Sequence, residues 1–549
     1  LPFDNNNELQ IVIDAPEGTT LERTDAVARR LGEVLRAASE VMDFQTFAGV
    51  ASPMDFNGMV RHYFLREGPN VGEIRVTLLP KRERALQSHE VALRLRGELR
   101  RVAAEEGVRI AVVELPPGPP VLATLTVEVT GDPATPYERL REAALRVAER
   151  LRREPGVEDV DSTVEADAER LVFATDPEKA ARSGVSAAEV ASTLALALAG
   201  REASQLHPES EANPLPIELR VARDERSSEA ALLALPVKGR PGIVKERTAA
   251  GVRDAPVPIV RIGELGRFVP QPAEKAIYHK DLRRVAFVYA EPVGRAPAEV
   301  ASDVEADLVP LSTDGSASSP DGAEPRALGG RTYLASGGGL PWSLPEGTRI
   351  SWLGEGELEI TVTVFRDLGI AFGAALVGIY FLVVYQTRSY AMPLVLMISI
   401  PLTLIGIMPG FWALQAFSAG DIGGYADPTF FTATAMIGMI ALAGIAVRNA
   451  VLLIEFVHVG LREGLGLAEA TIRAGAVRTR PILLTAGTAM LAAVPITLDP
   501  IFSGLAWALI FGLFVSTGLT LLVVPVDYYR VYHARPGHGL PRDEPEEPA

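Results

Sequence analysis

The sequence has 549 residues and no cysteine, which excludes disulfides, thiol catalysis and metal sites built on cysteine. It also lacks the G-x-S-x-G, Walker A and H-E-x-x-H patterns, so neither a hydrolase nor ATP hydrolysis is indicated. Acidic residues outnumber Lys and Arg by 69 to 53, and the net charge of −16 argues against a nucleic-acid partner. We therefore expect no enzyme, no cofactor and no nucleic-acid binding.

What the sequence does contain is a series of long apolar runs in its last third. A helix that crosses the hydrocarbon core of a bilayer, about 30 Å thick, needs roughly 20 apolar residues. Five stretches meet this requirement, at about 366–387, 390–414, 428–457, 480–498 and 501–531. The sequence therefore predicts a membrane α-helical bundle of five transmembrane helices in a lipid bilayer.

Charged residues lie unequally around these runs, and Lys and Arg collect on the cytoplasmic side of a membrane. The basic residues around one set of ends are Arg388, Arg462, Arg473, Arg478, Arg480, Arg530 and Arg535. The opposite connections contain Asp421, Asp427 and Asp499 and no Lys or Arg. We therefore expect a cytoplasmic C-terminus and place residues 1–365 on the far side of the membrane. A domain of that size needs an earlier helix to cross, and the chain begins at Leu1 without a signal peptide, so we expect a longer protein.

Residues 1 to about 360 alternate between strand-like and helix-like patterns. The predicted strands are Leu9–Ile13, Asp43–Ala48, Ile74–Leu78, Val108–Val113, Thr124–Val129, Val157–Val164, Leu171–Ala174 and Thr348–Leu353. Capping boxes at Thr19-x-x-Glu22 and Thr135-Pro136-Tyr137-Glu138, and a cap at Ser186, predict helix starts. Strand–helix–strand sets of this size favour α+β domains of ferredoxin-like type.

Two further stretches indicate connections rather than regular elements. The run Pro116–Pro120 predicts a stiff, extended connector. Residues 302–340 contain Ser-Ala-Ser-Ser-Pro-Asp-Gly and predict a flexible insertion.

Several segments keep a characteristic order and spacing along nearly the whole chain. They are Leu1-Pro2-Phe3-Asp4-Asn5, Pro16-Glu17-Gly18-Thr19-Thr20, Pro116–Pro120, Asp176-x-x-Lys179-Ala180 with Gly184-Val185-Ser186, Gly444–Phe456 in the third apolar run, and Arg478-x-Arg480-Pro481-Ile482-Leu483-Leu484-Thr485 in the fourth. Together they resemble the C-terminal half of the resistance–nodulation–division (RND) exporters, inner-membrane pumps of bacterial tripartite efflux systems.

This resemblance implies a domain plan. It gives a first porter subdomain at 1–121, a second at 122–170 and 268–355, an inserted docking subdomain at 171–267, the five transmembrane helices within 356–535 and a cytoplasmic tail at 536–549. It also implies a bacterial inner-membrane protein with a periplasmic N-terminal part, assembled as a homotrimer of the full-length chain. Its partners would be a periplasmic adaptor protein, an outer-membrane channel and a missing N-terminal half with acidic transmembrane residues.

Arg448 is the residue most indicative of chemistry, because an ionisable group within a membrane span is costly and is functional by default. The alternative is an Arg whose long side chain snorkels to the cytoplasmic headgroups. The family has a Lys here that faces an acidic pair, and Arg448 would act as a fixed counter-ion because Arg keeps its proton. Asn449 beside it adds a polar group. Thr485 and Thr488 are candidate relay hydroxyls, with bonding to their own helix backbone as the alternative.

A stretch rich in aromatic and Met side chains indicates a substrate surface. Met and aromatic groups adapt to varied apolar ligands. The candidate substrate-binding residues are Phe44, Phe47, Met54, Phe56 and Met59. For the two Phe residues of the strand, core packing is the alternative.

Three functions therefore remain open. The leading hypothesis is a proton-driven exporter of hydrophobic or amphiphilic compounds. The first alternative is an RND heavy-metal exporter, in which Met side chains in the cleft bind a soft ion such as Cu(I). The second alternative is a membrane-anchored periplasmic scaffold that transports nothing.

Overall fold

A computed structural model of the protein describes residues 4–114, 121–243, 245–310, 323–418 and 420–533. The predicted connector Pro116–Pro120 and the tail at 536–549 lie outside these residues. The chain divides into two compact units. Residues 165–276 form one of them, and the chain on either side of this insertion forms the other.

The first sheet is built by a β-α-β-β-α-β sequence of elements with one short extra helix. Its elements are β1 (Glu8–Asp14), α1 (Leu21–Ala37), β2 (Val41–Ala48), α2 (Phe56–Val60), β3 (Val71–Leu78), α3 (Ser88–Glu106) and β4 (Arg109–Val113). The strands are antiparallel in the order β2-β3-β1-β4. The four predicted strands are thus confirmed.

One face of this sheet carries the core. Val27, Leu31 and Leu35 recur every four residues along α1, so they form one apolar stripe. They pack with residues of α3 against alternate side chains of β1 and β3, such as Ile11 and Ile74, which are almost completely buried. Because strand side chains alternate between faces, the residues between them lie on the helix-free face.

The second sheet begins with β5 (Leu125–Gly131), α4 (Tyr137–Arg152) and β6 (Val157–Ser162). The chain then enters the insertion. Its elements are β7 (Glu169–Thr175), α5 (Pro177–Arg182), α6 (Ala187–Leu198), β8 (Arg201–Leu206), β9 (Leu215–Leu219), α7 (Glu229–Ala234), β10 (Pro236–Lys238), β11 (Lys245–Thr248), β12 (Gly251–Asp254), β13 (Ile259–Arg261), α8 (Ile262–Leu265) and β14 (Gly266–Pro272). Strands β7 and β14 pair along their whole length, from Glu169 with Pro272 to Thr175 with Gly266.

The chain returns to complete the second sheet. The remaining elements are β15 (Tyr278–Lys280), β16 (Arg283–Pro292), α9 (Pro297–Ala306) and β17 (Thr348–Ser351). Strands β6 and β15 both pair with one edge of β16, β5 pairs with the other edge, and β17 pairs with β5. If the short β15 is left aside, the order is β6-β16-β5-β17. Counted along the chain, this is the second, third, first and fourth strand, the same antiparallel order as in the first sheet. Its core contains Val127, Val147, Val288 and Val300.

The predicted helix starts differ in outcome. The cap at Ser186 is confirmed, because its side chain accepts from the Glu189 N–H and the Glu189 carboxylate accepts in return. The box at Thr19 is wrong, since α1 follows Thr20 without a side-chain cap bond. The box at Thr135 is also wrong, because the Thr135 hydroxyl donates instead to the carbonyl oxygen of Gly347, 3.1 Å away.

A buried charge network corrects the predicted flexible insertion at 302–340. Helix α9 runs to Ala306, and the backbone beyond it is tied down. Asp303 accepts from the Gly337 N–H at 2.8 Å, and Asp307 accepts from the Gly338 N–H at 2.9 Å. Residues 311–322 of this stretch lie outside the described part of the chain. The order follows from buried carboxylates, which need hydrogen-bond donors.

Three guanidinium groups complete this network around Glu154, whose side chain is fully buried. Arg150 lies 2.8 Å from Glu154, Arg295 lies 2.7 Å from it, and Arg331 also pairs with it. Burial alone would raise the pKa of Asp303. The N–H of Gly337 and the Arg331 and Arg295 side chains nevertheless hold that pKa below its usual range.

Among the described residues, five helices are long and apolar enough to cross a membrane, which confirms the predicted number. These helices are α10 (Glu357–Thr387), α11 (Met392–Met397) with α12 (Ser399–Ser418) as the second, α13 (Ala433–Arg462), α14 (Leu467–Ala493) and α15 (Ser503–Tyr532). A hairpin of β18 (Gly420–Ile422) and β19 (Tyr425–Asp427) lies between the second and the third. The predicted bounds began too late for α10 and α14, because charged residues limit an apolar run but not a helix. Arg473, Arg478 and Arg480 therefore lie on α14 rather than in a loop.

Small residues allow α15 to pack closely against its neighbours. A Cβ atom at Gly438 of α13 would lie 2.8 Å from the Leu505 carbonyl oxygen, and one at Gly406 of α12 would lie 2.5 Å from that of Phe511. Such close backbone approach is how membrane helices associate without a hydrophobic driving force. Helices α10 and α14 are much less buried, so both leave faces uncovered within the described residues.

Replacing Glu154 by Ala should strip the central acid from three buried guanidinium groups. Breaking a buried ion pair by removing one partner costs about 3–5 kcal/mol, because uncompensated charge remains. We expect a lower thermal unfolding midpoint in detergent and faster proteolysis at 323–340. Glu149→Ala on α4 is the matched control, since its carboxylate is 66% exposed, and it should shift the midpoint little. Equal midpoints for the two variants would contradict a structural role for the network.

Candidate functional site

Helix α13 carries one exposed stripe along its whole length. The exposed residues, spaced three or four apart, are Ile437, Ala441, Gly444, Arg448, Leu452, Glu455 and Val459. Arg448 is the cation at the middle of this stripe. No carboxylate in the described ranges forms an ion pair with it. The structure thus places a guanidinium on an otherwise mostly apolar helix face that nothing in these ranges covers.

Asn449 lies on the packed side of α13 and is 5% exposed. Consecutive helix residues point about 100° apart, so the structure does not bring Asn449 to the face of Arg448. Glu455, two turns further along, does share that face and accepts a hydrogen bond from the Gln386 amide of α10 at 3.2 Å.

Thr485 and Thr488 lie one turn apart on an exposed side of α14. The Thr485 hydroxyl donates to the Ile482 carbonyl at 3.0 Å, and the Thr488 hydroxyl donates to the Thr485 carbonyl at 2.9 Å. Each proton is therefore engaged by its own helix, while the oxygens remain free to accept. Within the described chain, neither hydroxyl bonds to Arg448.

The five predicted substrate residues are divided among three places. The Phe44 ring packs against the core over Gly32 of α1, with the Arg36 guanidinium 5.6 Å from its centre. Phe47, three residues along the strand, lies on the opposite, helix-free face. The remaining three residues belong to the loop after β2.

In that loop, Met54 and Met59 are 65% and 45% exposed. Phe56 begins α2, and its side chain lies outside what the structure describes. The exposed set thus consists of the two Met residues, with Phe64 and Leu65 also exposed after α2.

A polar cluster on the helix-free face holds this loop in place. Glu73, which is almost completely buried, accepts from the Gln10 amide and from the Ser52 N–H at 2.5 Å. Arg75 pairs with Asp55 and donates to the Pro53 carbonyl at 3.2 Å. A cavity of about 210 Å³ lies beside this cluster. The cluster was not predicted from the sequence, although its signal is there in the polar residues that alternate with buried ones in β1 and β3.

Ion pairs join the two sheets along β4, α3 and β6. Buried Arg96 of α3 pairs with Asp159, which also accepts from the Val112 N–H at 3.1 Å. Arg100 of α3 likewise forms an ion pair with Glu158 of β6. A cavity of about 360 Å³ lies at this junction, and no predicted substrate residue lines it.

His89 in the first turn of α3 lies close to two carboxylates. Its Nδ1 atom is 2.8 Å from Glu114, and Asp427 of β19 adds negative charge. Burial and the Arg96 charge would lower the pKa of His89. The charge and hydrogen bond of Glu114, with the charge of Asp427, outweigh them and raise that pKa above its usual value.

The sequence matches the AcrB/AcrD/AcrF family over residues 1–311 and 341–532. The chain belongs to this family. Its members are RND transporters, so the resemblance stated from the sequence is confirmed, and the protein is a multi-pass inner-membrane protein. The chain is thus a member of a transporter family, not of an enzyme family.

Relatives of this RND chain include two kinds of resistance protein. The cobalt-zinc-cadmium resistance protein CzcA of Cupriavidus metallidurans is 24% identical over 76% of this chain and 34% of its own length. The multidrug resistance protein MdtC of Proteus mirabilis is 31% identical over 28% of this chain and 14% of its own. The crystal structure of a heavy metal efflux pump matches with a TM-score of 0.69 and 19% identity, over 97% of this chain and 48% of the pump. The chain therefore spans less than half the length of these proteins, and the structural match establishes the fold.

The raised pKa of His89 gives stability a defined pH dependence. Its folded-state pKa exceeds that of the unfolded chain, about 6.5, so the protonated imidazole stabilises the fold fully below that pH. This contribution disappears as the pH rises through the folded-state pKa. We expect His89→Gln to lower the thermal midpoint most at pH 5–6 and least at pH 9. His207→Gln, at an exposed site, is the control and should leave the profile unchanged. A constant difference between pH 5 and 9 would refute the assignment.

Proposed function

We propose that this chain is the C-terminal half of a proton-driven RND exporter of hydrophobic or amphiphilic compounds. The observation that carries the proposal is the guanidinium of Arg448 on the exposed stripe of α13. The compounds would leave the periplasm or the inner membrane through a tripartite assembly with an adaptor protein and an outer-membrane channel. Residues 1–365 would be periplasmic, and the C-terminus cytoplasmic.

The electrostatics of Arg448 require an acidic partner. A charged side chain near the middle of a membrane helix costs at least about 2.5 kcal/mol unless it is paired. Arg does not release its proton, so the titrating group must be a carboxylate on a helix that covers the stripe. The uncovered faces of α10 and α14 fit such additional helices.

Proton entry would then change the force on α13. Protonating the facing carboxylate removes the negative charge that holds Arg448, and the helix is released to shift. One proton moving through 100 mV supplies about 2.3 kcal/mol, enough to shift the equilibrium of a two-state bundle about 50-fold. Thr485 and Thr488, whose oxygens can still accept, would relay the proton; Asn449 on the packed side would act only indirectly.

The extracytoplasmic part would supply porter and docking subdomains. The repeated order of strands in the two sheets supports two ferredoxin-like porter subdomains, at 1–121 and at 122–170 with 268–355. The compact insertion supports a docking subdomain at 171–267. In a homotrimer of the full-length protein, three such docking subdomains would face the outer-membrane channel.

The substrate would meet the exposed loop after β2. The flexible Met54 and Met59 side chains suit apolar ligands of varied shape better than they suit a single ligand. Phe47 and Phe56 lie nearby in the sequence. Phe44 supports the core more than a ligand surface. Export of a heavy-metal ion is the second candidate, favoured by the names of CzcA and of the solved pump.

Replacing Arg448 by Ala should reduce efflux of a fluorescent amphiphile at least about ten-fold in cells that express the intact native protein, a loss of roughly 1.4 kcal/mol or more in the rate-limiting step. Arg448→Lys should keep much of the activity because it retains the charge. Arg462→Ala, at the end of the same helix, is the control and should transport normally. Normal efflux by Arg448→Ala would instead favour the scaffold.

The double variant Met54→Ala/Met59→Ala should narrow the range of exported amphiphiles without lowering the unfolding midpoint, because both side chains are exposed. Phe44→Ala should lower the midpoint, since large-to-small core changes cost roughly 3 kcal/mol. Efflux assays with dyes, and growth in copper or zinc salts, separate the two substrate classes. Unchanged dye export together with lost metal tolerance would favour the metal exporter.

A further inference from the structure

The hairpin β18–β19 lies on the extracytoplasmic side between the second and third membrane helices. Its two central residues, Gly423 and Gly424, have φ values of +62° and +86°. Two consecutive residues with positive φ make the type I′ turn that matches the twist of a two-residue hairpin. The result is a compact finger with a defined tip.

The tip of this finger contacts the first sheet's helix α3 through backbone. A Cβ atom at Gly423 would lie 2.8 Å from the Arg94 Cα atom and 2.8 Å from the Leu93 carbonyl oxygen. Because both neighbours are main-chain atoms of a helix, they cannot move aside individually. The contact therefore transmits displacement instead of absorbing it.

The second strand of the finger contacts the other sheet. The Ala426 Cβ atom lies 3.1 Å from the position that a Cβ atom would take at Gly294, in the turn after β16. Next to it, the Tyr425 hydroxyl oxygen accepts from the Arg100 guanidinium at 3.4 Å. Arg100 itself pairs with Glu158 of the second sheet. The finger thus lies at the junction where the ion pairs join the two sheets.

The link from the finger to α13 is short. Residues 428–432 connect β19 to the first turn of α13. The Thr429 N–H donates to the Gln415 side chain of α12 at 2.6 Å, and the Thr432 hydroxyl caps α13. Such a short, tethered segment has little slack, so the start of α13 and the finger move together.

We propose that the β18–β19 hairpin is the element that transmits movement of α13 to the junction between the two extracytoplasmic sheets. The inference rests on the proposed function, because the movement it transmits is the one driven by neutralisation opposite Arg448. Closing or opening of the cavity between β4 and β6 would follow from displacement of the finger against α3 and Gly294.

This chain contains no cysteine, so once any cysteine in the other half of the full-length protein has been replaced, two introduced thiols can pair only with each other. In Gly294→Cys/Ala426→Cys, the two Cβ positions start about 3.1 Å apart, and a Cβ atom at Gly294 would lie 2.8 Å from the Ala426 carbonyl oxygen, so the turn must open slightly to reach the 3.5–4.5 Å of a disulfide. The reduced double variant must therefore export as well as the native protein does before its cross-linking rate is compared. The rate of cross-linking by a mild oxidant is measured in membranes that contain the full-length protein. Adding Arg448→Ala mimics loss of the charge interaction, and we expect the rate to change at least about five-fold.

The matched control is Val172→Cys/Val269→Cys, a facing pair of β7 and β14 within the insertion. Its cross-linking rate should not respond to Arg448→Ala. An equal rate for the hairpin pair with and without Arg448→Ala would overturn the inference.

Transport provides the second readout. The oxidised hairpin pair should lose at least about nine-tenths of its amphiphile efflux, and reduction should restore it; full efflux by completely cross-linked protein would also overturn the inference. If the reduced protein and the native protein both fail to export while the cross-linking rate still responds to Arg448→Ala, the coupling stands and the exporter assignment fails.

Discussion

A positive charge on a membrane helix must be neutralised, and the rest of the proposed mechanism depends on this constraint at Arg448. The guanidinium lies on the one face of α13 that is exposed along its whole length, while the opposite face packs tightly against α15. The helix is thus fixed on one side and open to electrostatic control on the other. That asymmetry lets a change of charge act as a force on the helix.

The sheets show how such a force could be used. Both sheets have the same strand order, and their junction includes ion pairs that are partly open to solvent, such as Arg100 with Glu158, rather than a continuous apolar core. Ion pairs that are partly open to solvent rearrange at lower cost than close-packed side chains do. The contact between the two sheets is therefore easier to rearrange than the core of either sheet, and the β18–β19 hairpin contacts both of them.

The sequence predicted eight of the strands and the number of membrane helices because these depend on local periodicity and on hydropathy, but it missed β16, the central strand of the second sheet. It failed where distant residues compete for the same group. The Thr135 hydroxyl bonds Gly347, 212 residues away, instead of capping its own helix. The order around Asp303 and Asp307 likewise needs Arg150 and Arg331, which no local pattern connects. Asn449 follows Arg448 in the sequence but lies on the packed side of α13, because consecutive residues of a helix point in different directions.

The insertion between β6 and β15 enters and leaves through the paired strands β7 and β14, whose backbones lie about 5 Å apart. Its removal would leave two chain ends that a tight turn can join, without disturbing the second sheet. The insertion is therefore a module that an engineer can replace by the equivalent segment of another family member at a single pair of neighbouring chain ends.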